Sequence, residues 1–309
     1  MSAASFRRPT VIALVGPTAV GKTVLSLEIA EALRAEIVSV DSRQVYQGMD
    51  IGTAKPTAAE RARVRHHLLD VVAPDAEYSV ALYRRQAHTI IARLRESGKP
   101  PLLVGGTGLY FRAVCDGLVL PPVPPQPELR AEWEARVAAG DLAGLVAELR
   151  RLDPVGADRV DLANPRRVIR ALEVTKVSGR PFSSWQQRES PPFQTLWLGL
   201  TRPRAELYER INARVVGQIE AGFVDEVRGL VERGYDYDLP AMQAIGYREI
   251  GWYLQGRVSL DDAIASQQQA TRRYARRQLT WFRPDERIRW LPASTARTRE
   301  FLDAVRERQ

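Results

Sequence analysis

The 309-residue chain is 45% apolar and 27% charged, the balance of a folded protein rather than a disordered one, and it is long enough for one large or two ordinary domains. No apolar run is long enough to cross a bilayer, and a single cysteine, Cys115, excludes internal disulfides and multi-cysteine metal sites and suits a reducing cytoplasm. The net charge of +8, carried almost wholly by arginine, hints at a polyanionic partner.

In chain order, Met1–Thr10 holds Arg7 and Arg8, but the apolar stretch that follows, Val11–Val15, is short and enters a glycine-rich turn, so no signal peptide is expected. Val11–Val15 reads as a strand. Gly16-Pro17-Thr18-Ala19-Val20-Gly21-Lys22-Thr23 fits G-x-x-x-x-G-K-[ST] at every fixed position, and a helix-like stretch, Val24–Arg34, follows. A strand, a glycine-rich turn and a helix N-terminus in that order build an anion cradle from backbone N–H groups and the helix dipole. Lys22 adds a full charge, and the Thr23 hydroxyl can ligate a magnesium ion. The pattern points to a di- or triphosphate without saying what becomes of it.

Glu36–Val40 predicts a strand ending at Asp41, Ser79–Ser97 an amphipathic helix, and Pro101–Val104 a buried strand closed by Gly105-Gly106-Thr107-Gly108. Strands alternating with helices imply an α/β fold, a P-loop NTPase-like parallel sheet flanked by helices. Ligands of such sheets sit beyond the carboxyl ends of the strands, where the phosphate loop, Asp41 and the Gly105–Gly108 turn all fall. Leu120–Pro127, with five prolines in eight residues, is an extended linker. Glu128–Leu152 reads as helix, Asp153-Pro154 breaks it, and Asn164-Pro165 opens another helix to about Ser178, stopped by Gly179-Arg180-Pro181. Residues 121–192 thus form a helical insertion domain in a core made of 1–120 and 193–309. Thr195–Leu200 returns to the sheet. The C-terminal region is mainly helical, over Ala205–Ala221, Val224–Gly234, Met242–Gln255 and Leu260–Phe282, with a last short strand at Ile288–Leu291.

Phosphate-loop hydrolases need an acid after an apolar strand to hold magnesium. Pro101–Val104 ends in Gly-Gly-Thr instead, whereas Glu36–Val40 ends in Asp41. A carboxylate beside a phosphate site can accept a proton from an attacking group; the same residue can simply cap a turn. The Gly105–Gly108 turn lets a ligand approach the backbone, or is an ordinary strand-to-helix connection. His66 and His67 point in different directions and lack partners at ligand spacing, so no metal site is expected there. Cys115 reads as a small buried residue. Arg166, Arg167 and Arg170 form one basic cluster. Arg272, Arg273, Arg276 and Arg277, followed by Arg283, Arg287 and Arg289 with Trp281 and Phe282 interleaved, form another. Both suit RNA or a solvated helix face equally. Arg210 and Arg214, at i and i+4, either reach a phosphate or pair with Glu206 or Glu209.

The succession GPTAVGKT, Ser39–Pro56, His66–Pro74, GGTGLY (Gly105–Tyr110), NPRRVIRALEV (Asn164–Val174), Glu209–Val227, QAIGYRE (Gln243–Glu249) and TRRYARRQLTWFR (Thr271–Arg283) resembles the tRNA dimethylallyltransferase family along nearly the whole chain. The resemblance implies transfer of a dimethylallyl group from dimethylallyl diphosphate to N6 of the adenosine 3′ of the anticodon. The phosphate loop, Gly16 to Thr23, then holds departing pyrophosphate rather than ATP. It implies Asp41 as general base, and Thr23 and Arg214 steadying the pyrophosphate with Lys22 and Mg2+. Thr107 and Asp41, Ser42, Arg43 and Gln44 would contact the target nucleotide. Arg166, Arg167, Val168, Ile169 and Arg170, with Gln243, Ala244, Ile245, Gly246, Tyr247 and Arg248, would contact the anticodon stem-loop, clamped by the insertion. The target base is expected to be flipped into a channel. Val20 stands where the family often has serine, Arg43 is bulkier than usual there, and no zinc-finger extension follows, which favours a compact bacterial-type enzyme; a cytoplasmic location, no membrane attachment and a monomer are the further expectations. A small-molecule kinase explains only the N-terminal half, a free-adenylate prenyltransferase needs no clamp, and a non-enzymatic RNA-binding protein leaves Lys22, Thr23 and Asp41 unexplained.

Overall fold

Strand β1 (Thr10–Val15) sends Ile12 and Leu14 to one face of a sheet and Val11, Ala13 and Val15 to the other, all buried, as the two-residue period of a strand requires. The structure is a computed structural model describing residues 10–185, 187, 189–190, 193–293 and 298–306. The expected reading of Arg7 and Arg8 and the Pro192 end of the insertion lie outside the described residues. Helix α1 (Lys22–Leu33) leads to β2 (Glu36–Val40), α2 (Ala58–Arg63), β3 (His66–His67), α3 (Val80–Glu96), β4 (Pro101–Gly105) and α4 (Gly108–Cys115). Then come α5 (Pro127–Ala138), α6 (Leu142–Leu152), α7 (Pro154–Arg159), α8 (Pro165–Ser178) and β5 (Gln194–Thr201). The chain continues through α9 (Arg204–Glu220), α10 (Phe223–Glu232), α11 (Tyr247–Leu254), α12 (Leu260–Phe282), β6 (Arg289–Pro292) and α13 (Thr298–Arg306).

Among the described residues six strands form one parallel sheet, in the order β3-β2-β4-β1-β5-β6. One face packs on α1, α9 and α13 through Leu27, Ile211 and Phe301. The other packs on α3 and α4 through Tyr83, Ile91, Phe111 and the buried Cys115. A further core joins α10, α11 and α12 to the segment Val45–Ile51 that follows β2. The described residues of 1–115 and 191–309 make one compact unit, and Asp116–Ser190 make a second. The second unit is built from α5 to α8 around Trp133, Leu145, Leu149, Val168 and Leu172.

Two stretches read as continuous helix are interrupted. Glu128–Leu152 divides at Gly140, whose φ of 87° is left-handed, and Asp141 then caps α6 by accepting the Gly144 N–H at 3.0 Å. Met242–Gln255 is helical only from Tyr247, because Gly246 has φ 94° and the residues before it form turns.

Candidate active site

Helix α1 starts at Lys22 with no side chain capping its first turn and no acidic residue in it, so its N–H groups and dipole are left facing the phosphate loop. Ala19 holds a left-handed φ of 62°, a conformation that costs energy for a residue with a Cβ. The carbonyls of Ala19 and of the residue after it are braced from outside. The Arg210 Nε donates to the Ala19 carbonyl and the Arg202 Nε to the Val20 carbonyl, each at 2.9 Å. The Thr18 N–H donates to Gln278 Oε1 at 2.8 Å, and Arg214 donates to Thr18 Oγ1 at 3.3 Å. With the Ala19 and Val20 carbonyls tied outward and the Thr18 N–H committed to Gln278, the N–H groups from Ala19 to the start of α1 are the ones left to face an anion.

Lys22 Nζ is folded back on the loop, donating to the Gly16 and Pro17 carbonyls at 2.9 and 2.8 Å. Burial and then the neighbouring Arg214 lower the Lys22 ammonium to about 7, against the opposing pull of Asp41. Burial and Arg210 likewise lower the Arg214 guanidinium. Two desolvated cations side by side favour a multiply charged anion between them.

Thr18 to Thr23 of the phosphate loop line a cavity of about 100 Å³ together with Asp41, Gln44, His66, Arg214 and Gln278. A second cavity, about 370 Å³, is lined by Ser42, Arg43, Gln218, Gln243, Gln267 and Arg248 among others. Thr18, Asp41, Thr53, Ala54, Arg214 and Tyr274 belong to both walls. The carboxylate at the tip of β2 therefore stands where an anion cradle opens onto a roomier polar cavity.

Asp41 does cap a turn: Oδ1 accepts the N–H of Arg43 at 2.8 Å and of Gln44 at 3.4 Å. Neither bond uses Oδ2, so the cap and a role in proton transfer are compatible. Gln44 is a strap, accepting from Ser39 and donating to the Thr53 and Ala54 carbonyls. Arg43 donates to the Pro240 carbonyl at 2.8 Å. Thr107 is on neither cavity wall; its Oγ1 accepts the Ser42 N–H at 3.2 Å and its hydroxyl also hydrogen-bonds Tyr274. It supports the site from behind.

The glycines beside it make room for their neighbours, and Gly105 and Gly106 also line the first cavity. A Cβ on Gly105 would lie 2.0 Å from the Val40 carbonyl oxygen, one on Gly106 2.0 Å from Gln278 Nε2, and one on Gly108 2.1 Å from the Trp281 ring. Trp281 and Phe282 pack on the sheet's core, with Arg112 over the Trp281 ring at 4.8 Å, so neither is a free platform for a base. The two histidines also have structural partners: His66 Nδ1 donates to the Val64 carbonyl at 2.8 Å and His67 Nε2 meets Glu36 at 2.6 Å. Among the described residues no group of three His, Cys, Asp or Glu side chains gathers for a metal. The hard hydroxyl oxygen of Thr23 in this cavity fits a magnesium ion that a bound diphosphate would bring with it.

Of the segment Gln243–Arg248, Gln243, Ala244, Ile245 and Arg248 line the second cavity. Tyr247 does not: it is fully buried and donates to Glu226 at 2.6 Å, while the Gly246 N–H is taken by Glu249. In the second unit, Arg166 and Arg167 are exposed, but Val168 and Ile169 are core residues. Arg170 is bound to Glu173 and to the Val123 carbonyl. A helix turns 100° per residue, so a run of five cannot present every side chain outward.

The sequence reading passed over Arg202, Gln267, Tyr274 and Gln278. A signal existed: Gln267, Thr271, Tyr274 and Gln278 repeat at four, three and four residues, a polar stripe on one face of α12 between the arginines.

Comparisons with known proteins point to one family. A model of the IPP transferase family matches residues 44–285, and one described as isopentenyl transferase matches residues 9–73. The tRNA dimethylallyltransferase of Roseiflexus sp. (strain RS-1) is 50% identical over 285 residues, 92% of this chain and 93% of the relative. That of Moorella thermoacetica is 45% identical over 313 residues, 99% and 96% of the two chains. The crystal structure of the tRNA isopentenylpyrophosphate transferase from Bacillus halodurans superposes with a TM-score of 0.72 at 40% identity, covering 98% of each chain. A eukaryotic dimethylallyltransferase acting on tRNA gives 0.83 at 26% identity, over 97% of this chain and 80% of that one. With a braced phosphate loop, a carboxylate between two cavities and these relatives across almost its full length, the chain belongs to the tRNA dimethylallyltransferase (IPP transferase) family.

Proposed function

We propose that this protein transfers the dimethylallyl group of dimethylallyl diphosphate to N6 of the adenosine 3′ of the anticodon in tRNA. One observation carries the reading: Asp41 lines both the anion cradle and the larger cavity beside it. The names of relatives at about half identity, tRNA dimethylallyltransferases, support dimethylallyl transfer to tRNA.

The α1 N-terminus, Lys22, Thr23 and Arg214 hold the diphosphate. As the allylic carbon–oxygen bond breaks, negative charge collects on the leaving oxygen, where these fixed donors act without reorganising. Thr23 would hold magnesium with the diphosphate oxygens, and the ion would supply further charge neutralisation there. An extruded adenine enters by the second cavity, and Asp41 accepts the proton that N6 loses on alkylation. The two backbone N–H bonds to Oδ1 fix the carboxylate and leave Oδ2 to the amine. Arg43, Gln243 and Arg248 contact the loop of the tRNA, and Arg166 and Arg167 its anticodon stem.

The test is incubation of unmodified tRNA and adenylate with labelled dimethylallyl diphosphate or, in a parallel reaction, with labelled ATP, then digestion of the tRNA to nucleosides. Label on N6 of that single adenosine is expected. Label passing from ATP to a small acceptor, or from dimethylallyl diphosphate to free adenylate in preference to tRNA, would overturn it.

A further inference from the structure

Prenyl transfer within this site needs something on its walls for the moving carbon, not only for the two ends of the reaction. Of the six residues shared by the cavities, Arg214 is cationic and repels a developing carbocation, while Asp41 is engaged with the amine. Thr18 serves the loop, and Thr53 and Ala54 are small. Tyr274 remains, and among the described residues no other Phe, Tyr or Trp lines either cavity.

We infer that the Tyr274 ring is a catalytic group for this reaction, its π-face stabilising the positive charge that builds on the allylic carbon between the departing diphosphate and N6. This rests on the proposed function. The allylic C–O bond breaks with its electron pair passing to the diphosphate oxygen, the C–N6 bond forms from the nitrogen lone pair, and the N6 proton passes to Asp41. In between, the five-carbon group carries positive charge next to the cations that hold the diphosphate. An uncharged π-face attracts such a cation without neutralising Lys22 or Arg214, and the attraction grows when water is excluded.

The ring is held for that task. Its hydroxyl is hydrogen-bonded to Thr107, which is itself fixed by the Ser42 N–H at 3.2 Å. One turn along α12, Gln278 ties the helix to both Thr18 and Gly106. Arg277, which lines only the second cavity, lies over the ring with Cζ 5.7 Å from its centroid, so the ring already draws a cation from that side. A face held this way is preorganised rather than recruited during the reaction.

The experiment places Phe, then phenylalanines with one, two and three ring fluorines, at position 274 and measures single-turnover transfer from dimethylallyl diphosphate to tRNA. Tyr274→Phe should keep the rate within about threefold, since the ring stays. Each added fluorine withdraws charge from the face, so the rate should fall stepwise, by about tenfold across the series, with tRNA and diphosphate affinities unchanged. Tyr274→Leu should lose at least as much. A flat rate across the fluorinated series, or a loss seen only in tRNA affinity (the ring then being a stacking platform for the base), would overturn the inference. The fluorinated residues keep the ring's shape, so a poorly folded Tyr274→Leu variant does not decide the matter. Wild-type protein that puts no label on tRNA would instead overturn the proposed function.

Discussion

Gln278 Oε1 accepts the Thr18 amide hydrogen at 2.8 Å across 260 positions of sequence, and its Nε2 donates to the Gly106 carbonyl at 3.1 Å. One buried amide on α12 thus joins the phosphate loop to the end of β4. Gln278→Leu leaves both backbone groups without these partners, which costs about 1–3 kcal/mol. We expect a lower Tm and roughly tenfold weaker binding of inorganic diphosphate by calorimetric titration. Unchanged diphosphate affinity would mean that the loop holds its shape without this tie.

Asp41 both caps a turn and faces the two cavities, and two substitutions separate these roles. Asp41→Asn keeps an oxygen to accept the Arg43 N–H but cannot take a proton. Transfer is expected to fall by about 100-fold or more while tRNA affinity stays within about threefold. Asp41→Ala also loses the turn, so its Tm should drop below that of Asp41→Asn. Near-wild-type turnover by Asp41→Asn would remove the residue as the base.

The basic cluster of α8 divides by exposure. Arg167→Ala should weaken tRNA binding and lower the slope of log affinity against log salt by roughly 0.7–0.9, the share of one phosphate contact. Arg170→Ala should act mainly on stability, because that guanidinium is committed to Glu173 and the Val123 carbonyl. Filter binding across a salt series and thermal melts distinguish the two, and equal effects on RNA binding would contradict this division.

Glu173 has no exposed side-chain surface and is held by Arg130, Arg170 and the Gln126 N–H. Burial alone would raise its carboxyl, but the two arginines outweigh it and hold the group below the usual glutamate range. A group whose native pKa is depressed contributes stability above its unfolded value and loses it as pH falls through the native one. Glu173→Gln should therefore destabilise the Asp116–Ser190 unit by about 3 kcal/mol near pH 7. Its deficit should shrink as pH drops below about 4. Urea melts at several pH values check this; a pH-independent deficit would assign the loss to packing.

Local signals located most of the elements. The predicted bounds of β2 and α12 agree with the structure, and those of β5, α3 and α8 to within a residue or so, because apolar periodicity and caps such as Ser79 and Asn164-Pro165 lie in neighbouring residues. Helix α2 was missed although Thr57 and Glu60 form a full capping box, as was α7 behind Asp153 and Pro154. Strand β3 could not have been read: two histidines become a strand only by pairing with β2.

By itself the sequence determined the phosphate loop, the acid at the tip of the second strand and the parallel α/β order, since each rests on residues close together in the chain. Only the tertiary structure decided that Arg214 faces the cavity while Arg202 and Arg210 brace the loop from outside, and that the glycines after β4 make room for Gln278 and Trp281. It also set Tyr274 beside Asp41 on a shared wall. These relations join positions up to 260 residues apart, and side-chain direction at such range is set by packing, which no local pattern encodes.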